Sequence, residues 1–128
     1  MKEYDLDLMT FFDGRRAAYP LYRAFEAALL ARHPDTKVKV GKTQITFANR
    51  RVYACASFLH VRRKADMPDP YIVITLGLPG PPLSARVAVQ TEPYPGRWTH
   101  HIVAASEGDV DDELLGWVQQ AYDFAARK

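Results

Sequence analysis

The stretch Tyr71-Ile72-Val73-Ile74-Thr75-Leu76-Gly77-Leu78 decides the fold. Every second residue from Ile72 to Leu78 is a large aliphatic one, which is the period of a β-strand with one face against a core. The following Pro79-Gly80-Pro81-Pro82 cannot continue the strand, because proline lacks the amide hydrogen that a sheet requires. The stretch therefore predicts a strand over residues 71–78, and Gly77 would weaken its end.

Further strands are predicted on both sides of this one. Residues 37–40 and 43–47 alternate between apolar and polar side chains, and 48–51 has the composition of a hairpin turn. Residues 52–61 are apolar on both faces, which indicates a central strand. The short links favour antiparallel pairing. Two more strands, after the polar loop 62–70 and the strand 71–78, are predicted over residues 86–91 and 98–105.

Helices are predicted before and after the strands. A short apolar helix is broken at Asp13-Gly14, and a longer one ends at His33-Pro34-Asp35. A final helix runs from Val110 to the end, with Ser106 or Asp109 as its cap. This order predicts an α+β fold, in which an antiparallel sheet of five or six strands carries N-terminal and C-terminal helices on one face. Its other face would be partly wet and would carry Lys37 and Lys39.

Size and composition indicate a small globular protein. The 128 residues suit a single domain over 1–128, and the hydrophobic content of 48% suits a packed core. The lone Cys55 excludes an internal disulfide and a zinc site built on cysteines. Acids stand near the N-terminus where a signal peptide has an apolar run, and no stretch reaches the about 20 apolar residues of a membrane span. We therefore expect a cytoplasmic protein without a membrane segment.

Positive charge is concentrated in one part of the chain. Residues 32–64 hold nine Lys and Arg against one acid, so this part carries +8 and the rest −6 of the net +2. Such a field attracts nucleic acid, other phosphates or an acidic protein surface, although lysines also blunt sheet edges and aid solubility. The predicted anion-binding residues are Lys37, Lys39, Lys42, Arg50, Arg51, Arg62 and Arg63. No nucleic-acid recognition motif accompanies them.

A second candidate site is centred on Trp98-Thr99-His100-His101. Adjacent strand residues point to opposite faces, so the two imidazoles diverge and a shared metal ion is not expected. If His100 faces the helices near an acid, it either transfers protons or makes a structural hydrogen bond, and both roles stay open. The acid-base role requires a cleft in which His100 meets a carboxylate. The predicted pocket residues are Trp98, His100, Glu113 and Trp117.

Other chemistry finds no support in the sequence. Cys55 lies within an apolar strand, where a thiol stays protonated, and there is no nucleophile elbow of the Gly-x-Ser-x-Gly type. The segment Gly77-Leu78-Pro79-Gly80-Pro81 contains glycines, but its prolines remove the amide donors that a phosphate loop needs. We therefore predict no catalytic residue, metal ion or cofactor. An exposed Trp117, one position off the apolar stripe of the final helix, would indicate a homodimer contact.

Short motifs along nearly the whole chain resemble a known group of small bacterial domains. They include Met9-Thr10-Phe11-Phe12-Asp13-Gly14, Lys42-Thr43-Gln44-Ile45-Thr46-Phe47, Trp98-Thr99-His100-His101 and the segment 114–122. In these motifs the chain resembles the domain of unknown function 5655 family. The resemblance implies mainly a fold, since the family has no established catalytic residues. It also implies domains that stand alone or end larger proteins, some with components that target nucleic acid.

Two functional hypotheses follow from the sequence. The first is a non-catalytic binding module whose basic sheet face takes an anionic partner, with nucleic acid as one such partner, and it predicts salt-sensitive binding. The second is a small enzyme or small-molecule-binding domain with its site around Trp98 and His100.

Overall fold

A six-stranded antiparallel sheet forms the centre of the protein, with its strands in the spatial order β1-β2-β3-β4-β6-β5. The structure is a computed structural model that describes residues 3–58, 67–80, 87–94 and 97–126. The strands are β1 Lys37–Val40, β2 Gln44–Ala48, β3 Val52–Ser57, β4 Ile72–Leu78, β5 Val87–Tyr94 and β6 Arg97–Ala104. The helices are α1 Glu3–Phe11, α2 Tyr19–Arg32 and α3 Asp112–Ala126, with 3₁₀ turns at Arg16–Ala18 and Glu107–Asp109.

Strand β4 lies in the interior of the sheet, as its alternation predicts. Ile72, Ile74 and Leu76 are at most 1% exposed, and they lie on one face. Through the register this face continues to Ala56 of β3 and Ile102 of β6, which both pair with Ile74. The sheet therefore presents an unbroken apolar surface on one side.

All three helices contribute to the core on that apolar surface. The buried cluster joins strand residues such as Phe47 with α1, α2 and α3, and the Phe25 ring of α2 meets the Phe47 ring edge-on at 5.6 Å. The buried helical members are Leu8, Leu21, Tyr22, Phe25, Leu29, Leu114, Val118 and Ala121. The predicted α+β fold, with N-terminal and C-terminal helices against an antiparallel sheet, is confirmed.

The opposite side of the sheet, across which no described helix packs, is called here the helix-free face. By register this face includes Lys37, Lys39, Gln44, Thr46, Cys55, Ser57, Val73, Thr75, Thr99, His101 and Val103. Exposure falls across this face from the edge inwards. The two lysines of β1 are exposed, Thr75 is half-buried, and Val73 of β4 is fully buried. The expectation of a partly wet face that carries Lys37 and Lys39 holds for the described residues.

Several element boundaries differ from the sequence prediction. Strand β3 ends at Ser57, whereas the predicted strand continued to residue 61. Strand β5 runs to Tyr94, whereas the predicted strand ended at residue 91. Phe47 and Ala48 of β2 pair with Ala54 and Val52 of β3, so Tyr53 is the extra residue of a bulge in β3. Tyr53 and the adjacent Ala54 are therefore both buried in the core, which simple alternation would not allow.

The polar residues before the last helix divide their capping between two elements. The Asp109 carboxylate accepts hydrogen bonds from the amides of Ala105 at 2.8 Å and Ser106 at 3.2 Å, which completes a capping box at the 3₁₀ turn. Asp111 caps α3 itself, since its carboxylate accepts from the Leu114 amide at 3.0 Å. The prediction of Ser106 or Asp109 as the cap of the final helix is therefore corrected to Asp111. The helix begins at Asp112 and not at Val110.

Candidate binding cleft on the helix-free face

A cleft of about 520 Å³ lies at the end of the helix-free face where β2 begins and β3 ends. We call it the sheet-end cleft. Its floor consists of two directly paired sets of residues, Gln44 with Ser57 and Thr75 with His101, and all four belong to one face because of the register. The chain that follows α1 reaches the same place, so the N-terminal segment closes one side.

The floor contains a histidine with a fixed ring. His101 Nδ1 lies 2.9 Å from Thr75 Oγ1, which fixes the plane of the imidazole. Burial lowers the pKa of His101, and the neighbouring His100 lowers it further. A neutral imidazole is therefore expected at pH 7, with its second nitrogen left as a hydrogen-bonding group. No further hydrogen bond of the His101 ring is found among the described residues.

Two cations lie at the cleft, and one of them is held in place. The Arg15 guanidinium carbon lies 4.4 Å from the centroid of the Phe58 ring and 5.8 Å from that of Tyr71. Arg15 also donates to the Tyr71 hydroxyl at 3.4 Å, and that hydroxyl donates to the Phe58 carbonyl at 2.8 Å. Lys42, in the turn between β1 and β2, is exposed and flexible by comparison. The Asp13 carboxyl is the one acidic group among the residues that line the cleft.

The remaining wall is aromatic. The rings of Phe11 and Phe58 stack at 5.4 Å with an interplanar angle of 24°, and both are half-buried. Phe12 packs edge-on against both rings and is itself part of the core. The stack therefore joins the cleft to the core and leaves part of each ring accessible from the cleft.

The structure brings only part of the predicted basic set to this cleft. Lys42 lines it, while Lys37 and Lys39 are exposed on the neighbouring edge strand of the same face. Arg50 and Arg51 are exposed in the turn between β2 and β3, at the opposite end of these strands. The prediction also included Arg62 and Arg63, which lie outside the described residues.

The second predicted site has a different environment. His100 is fully buried on the helix side, its ring lies parallel to that of Trp98 at 6.4 Å, and its Nε2 donates to the Gly80 carbonyl at 2.9 Å. Burial lowers the pKa of His100, and the bond to Gly80 opposes that shift. This backbone partner matches the structural role considered for His100. The acid-base role requires a carboxylate at the imidazole, and no carboxylate of the described residues contacts it.

The other two members of that site lie on α3. Glu113 is exposed in its first turn, and Trp117 is half-buried and packs against the core. Trp117 therefore lies at the edge of the apolar stripe. None of Trp98, His100, Glu113 and Trp117 lines the sheet-end cleft. A pocket at these four residues stays a prediction, while the divergence of His100 and His101 is confirmed.

A second polar cluster, which sequence reasoning missed, joins the end of α2 to α3. The buried His33 ring stacks on Tyr122 at 4.2 Å, and the Tyr122 hydroxyl donates to Asp35 at 2.7 Å and accepts from Asn49 at 3.1 Å. Close by, the hydroxyls of Tyr53 and Thr36 are 2.6 Å apart. We call this set the tyrosine cluster. It connects two helices and the β2–β3 turn, and we assign it a structural role.

The described part of the chain contains neither a cluster of metal ligands nor a helix that could span a membrane. No three or more His, Cys, Asp or Glu side chains among those residues are grouped for a metal ion. None of the described helices is both long enough and apolar enough to span a bilayer. Cys55 is half-buried on the helix-free face, and burial raises the pKa of its thiol.

Sequence reasoning missed most of the sheet-end cleft for a definable reason. Arg15 lies outside the basic segment 32–64, and phenylalanines such as Phe11 and Phe58 are normally expected in the core. The available signal was the alternation that places Thr75 and His101 on the face opposite the aliphatic residues. Their proximity to Arg15 depends on the path of the chain after α1, which no local pattern encodes.

Comparison with known proteins gives one match. No curated protein and no solved structure is significantly similar to the chain. One family profile matches residues 9–125, which include the whole sheet and every residue that lines the sheet-end cleft. Because the match covers nearly the full length, the chain belongs to the family described as Domain of unknown function (DUF5655).

Proposed function

We propose that this protein is a non-catalytic binding module for an anionic partner, and that the partner is a single-stranded nucleic acid. The contact surface is the helix-free face together with the sheet-end cleft. The observation that supports this most is the exposure of Lys37, Lys39 and Lys42 along one edge of that face. No ion pair of these three lysines occurs within the described residues. Their charge is therefore available to phosphates.

Edge protection alone does not explain this arrangement. Strand β1 is an edge strand, and lysines on such strands prevent sheets from joining, so Lys37 and Lys39 would be expected even without a partner. Lys42, however, lies outside the strand, and it flanks a cleft together with Arg15. Blunting a sheet edge gives no reason for two cations to flank a cleft, whereas binding an anion does.

The aromatic wall favours a single strand over a duplex. Proteins that bind single strands combine a cationic groove with aromatic rings on which bases stack. The Phe11 and Phe58 rings lie beside Arg15 and remain partly accessible. A duplex hides the faces of its bases, so these rings could contact only unpaired ones. An acidic protein surface would use the lysines but would leave the aromatic wall without a function.

The test is a fluorescence-anisotropy titration with short labelled single-stranded DNA and RNA, at salt concentrations from about 50 to 200 mM. Three phosphate contacts predict a slope of log K against log salt of roughly −2, from about −0.7 for each contact. The combined Lys37→Gln, Lys39→Gln and Lys42→Gln variant should lose most of this slope. Arg32→Gln removes one positive charge that is paired with Asp112 on the helix side, and it should behave as the wild type.

Two outcomes would overturn the proposal. Absence of binding to both DNA and RNA at low salt would remove nucleic acid as the partner, and binding of an acidic protein in its place would identify a different function. Binding whose salt slope is the same in the triple lysine variant and the wild type would show that the contact surface lies elsewhere.

A further inference from the structure

We infer that the sheet-end cleft binds one nucleotide unit, with the base against the Phe11 ring and the phosphate between Arg15, which covers the Phe58 ring, and Lys42. This inference rests on the proposed function, since it specifies the ligand at one end of the same anionic surface. The shared chemistry is a planar ring joined to a phosphate. A free mononucleotide and the terminal nucleotide of a strand both provide it.

The size of the cleft fits this ligand class. Its volume of about 520 Å³ lies in the range of roughly 300–1,000 Å³ that is typical of small-molecule pockets. It also combines an apolar wall with a polar floor. A simple inorganic anion would leave the aromatic wall unused, and an apolar ligand would leave Arg15 and Lys42 without a partner.

The phosphate end is organised around Arg15. Stacking on Phe58 and the bond to Tyr71 orient the guanidinium, and only one of its N–H groups is used in that bond. A planar guanidinium with free N–H groups matches a phosphate in a bidentate manner, and a preoriented one loses less entropy on binding. Lys42 adds a second charge on a flexible chain, which can follow the phosphate.

The Asp13 carboxylate in the cleft favours a ligand that also carries hydrogen-bond donors. Asp13 would repel a phosphate placed next to it, because two like charges at close range disfavour each other. A carboxylate is, however, a strong acceptor for sugar hydroxyls. A nucleotide carries both groups a few bonds apart, so its phosphate can meet the cations while its ribose meets Asp13.

The floor offers groups that can read the edge of a base. The Gln44 side chain is exposed and carries both an amide donor and a carbonyl acceptor. His101, fixed by Thr75, adds one further ring nitrogen. A base stacked on Phe11 directs its polar edge towards such groups, and stacking on an aromatic ring contributes about 1–3 kcal/mol for each base.

The test measures binding of AMP, adenosine and inorganic phosphate to the full chain by calorimetry and by chemical-shift titration. AMP should bind at least about tenfold more tightly than either adenosine or phosphate alone. Arg15→Gln should weaken AMP by about tenfold and leave adenosine unchanged, and Arg15→Lys should recover only part of the loss. Phe11→Leu should weaken both AMP and adenosine. Arg16→Gln changes the adjacent exposed arginine, which does not line this cleft, and should match the wild type.

The two sources of the ligand are separated by an oligonucleotide with and without a 5′-phosphate. A strand end in the cleft predicts tighter binding of the phosphorylated form and loss of that preference in Arg15→Gln. A free mononucleotide predicts that AMP binds while the 5′-phosphate makes no difference. A circular-dichroism melt of every variant verifies that it is folded. If Arg15→Gln is not folded, the test is made with Arg15→Lys.

Failure of this inference can be told apart from failure of the proposed function. If AMP does not bind at millimolar concentration, or if Arg15→Gln and Arg16→Gln have equal effects, the inference is overturned, even where oligonucleotides bind through Lys37 and Lys39. If AMP binds as described while no oligonucleotide does, the cleft assignment stands and the nucleic-acid module is wrong.

Discussion

Replacement of His100 by Gln should make the stability of the protein less sensitive to acid. His100 is fully buried, and burial lowers its pKa from the ordinary value of 6.5. Because the folded pKa lies below the unfolded one, the unfolded chain binds the proton more readily. The contribution of His100 to stability is therefore complete above pH 6.5 and is lost as the pH falls from 6.5 to the folded pKa.

The magnitude follows from the proton that unfolding takes up. One histidine changes the free energy of unfolding by at most about 1.4 kcal/mol for each pH unit inside that window. His33 and His101 also have lowered pKa values, so His100→Gln should remove part of the acid sensitivity and not all of it. A Gln side chain retains an N–H donor for the Gly80 carbonyl. Near pH 8 the variant should therefore be within about 1 kcal/mol of the wild type.

The assay is equilibrium unfolding in urea, followed by the fluorescence of Trp98 and Trp117, over the range from about pH 5 to pH 8. Arg32→Gln serves as the control, because it alters a surface pair with Asp112 and introduces no group that titrates in this range. If His100→Gln and the wild type show the same dependence of stability on pH, with unchanged m-values, the assignment of His100 as a buried neutral imidazole is wrong.

Two further predictions concern the core. Leu76→Ala, at a fully buried position of β4, should lower the free energy of unfolding by about 2–5 kcal/mol. Lys39→Ala, on the exposed edge, should change it by less than about 0.5 kcal/mol. Equal effects of the two substitutions in urea denaturation would contradict the assigned faces. Tyr53→Phe removes the hydroxyl bonded to Thr36 and should cost about 1 kcal/mol. Burial raises the pKa of Tyr53 to about 12, so an alkaline absorbance titration of this variant should lose one tyrosine that ionises near pH 12, and an unaltered titration would refute that environment.

The sheet could be predicted because its strongest signal is local. Alternation over 72–78 reports a strand with one buried face, and the structure confirms it with every aliphatic residue of that set buried. The same reasoning ended β5 at residue 91, and Pro93 lies just beyond that residue. Strand β5 is an outer strand of the sheet, where a proline can face away from the neighbouring strand, and it therefore continues to Tyr94.

The candidate site could be predicted only in part because it is built from distant segments. The period of a strand correctly placed His100 and His101 on opposite faces, and it placed Lys37 and Lys39 together. The position of Arg15 over Phe58 depends on the turn at Gly14, whose φ of +77° redirects the chain after α1. Counting the charges within residues 32–64 therefore could not predict that Arg15 lies at the cleft.

The two borders of the sheet constrain how any second molecule can meet this protein. One border carries Lys37 and Lys39, and the other contains Pro93, which has no amide hydrogen to offer. An incoming peptide that tried to add as a seventh strand would meet two lysines at β1 and, in β5, a proline that cannot donate a backbone hydrogen bond. We therefore expect a second molecule to meet side chains on the broad faces of the sheet, and not to pair with exposed backbone at its borders.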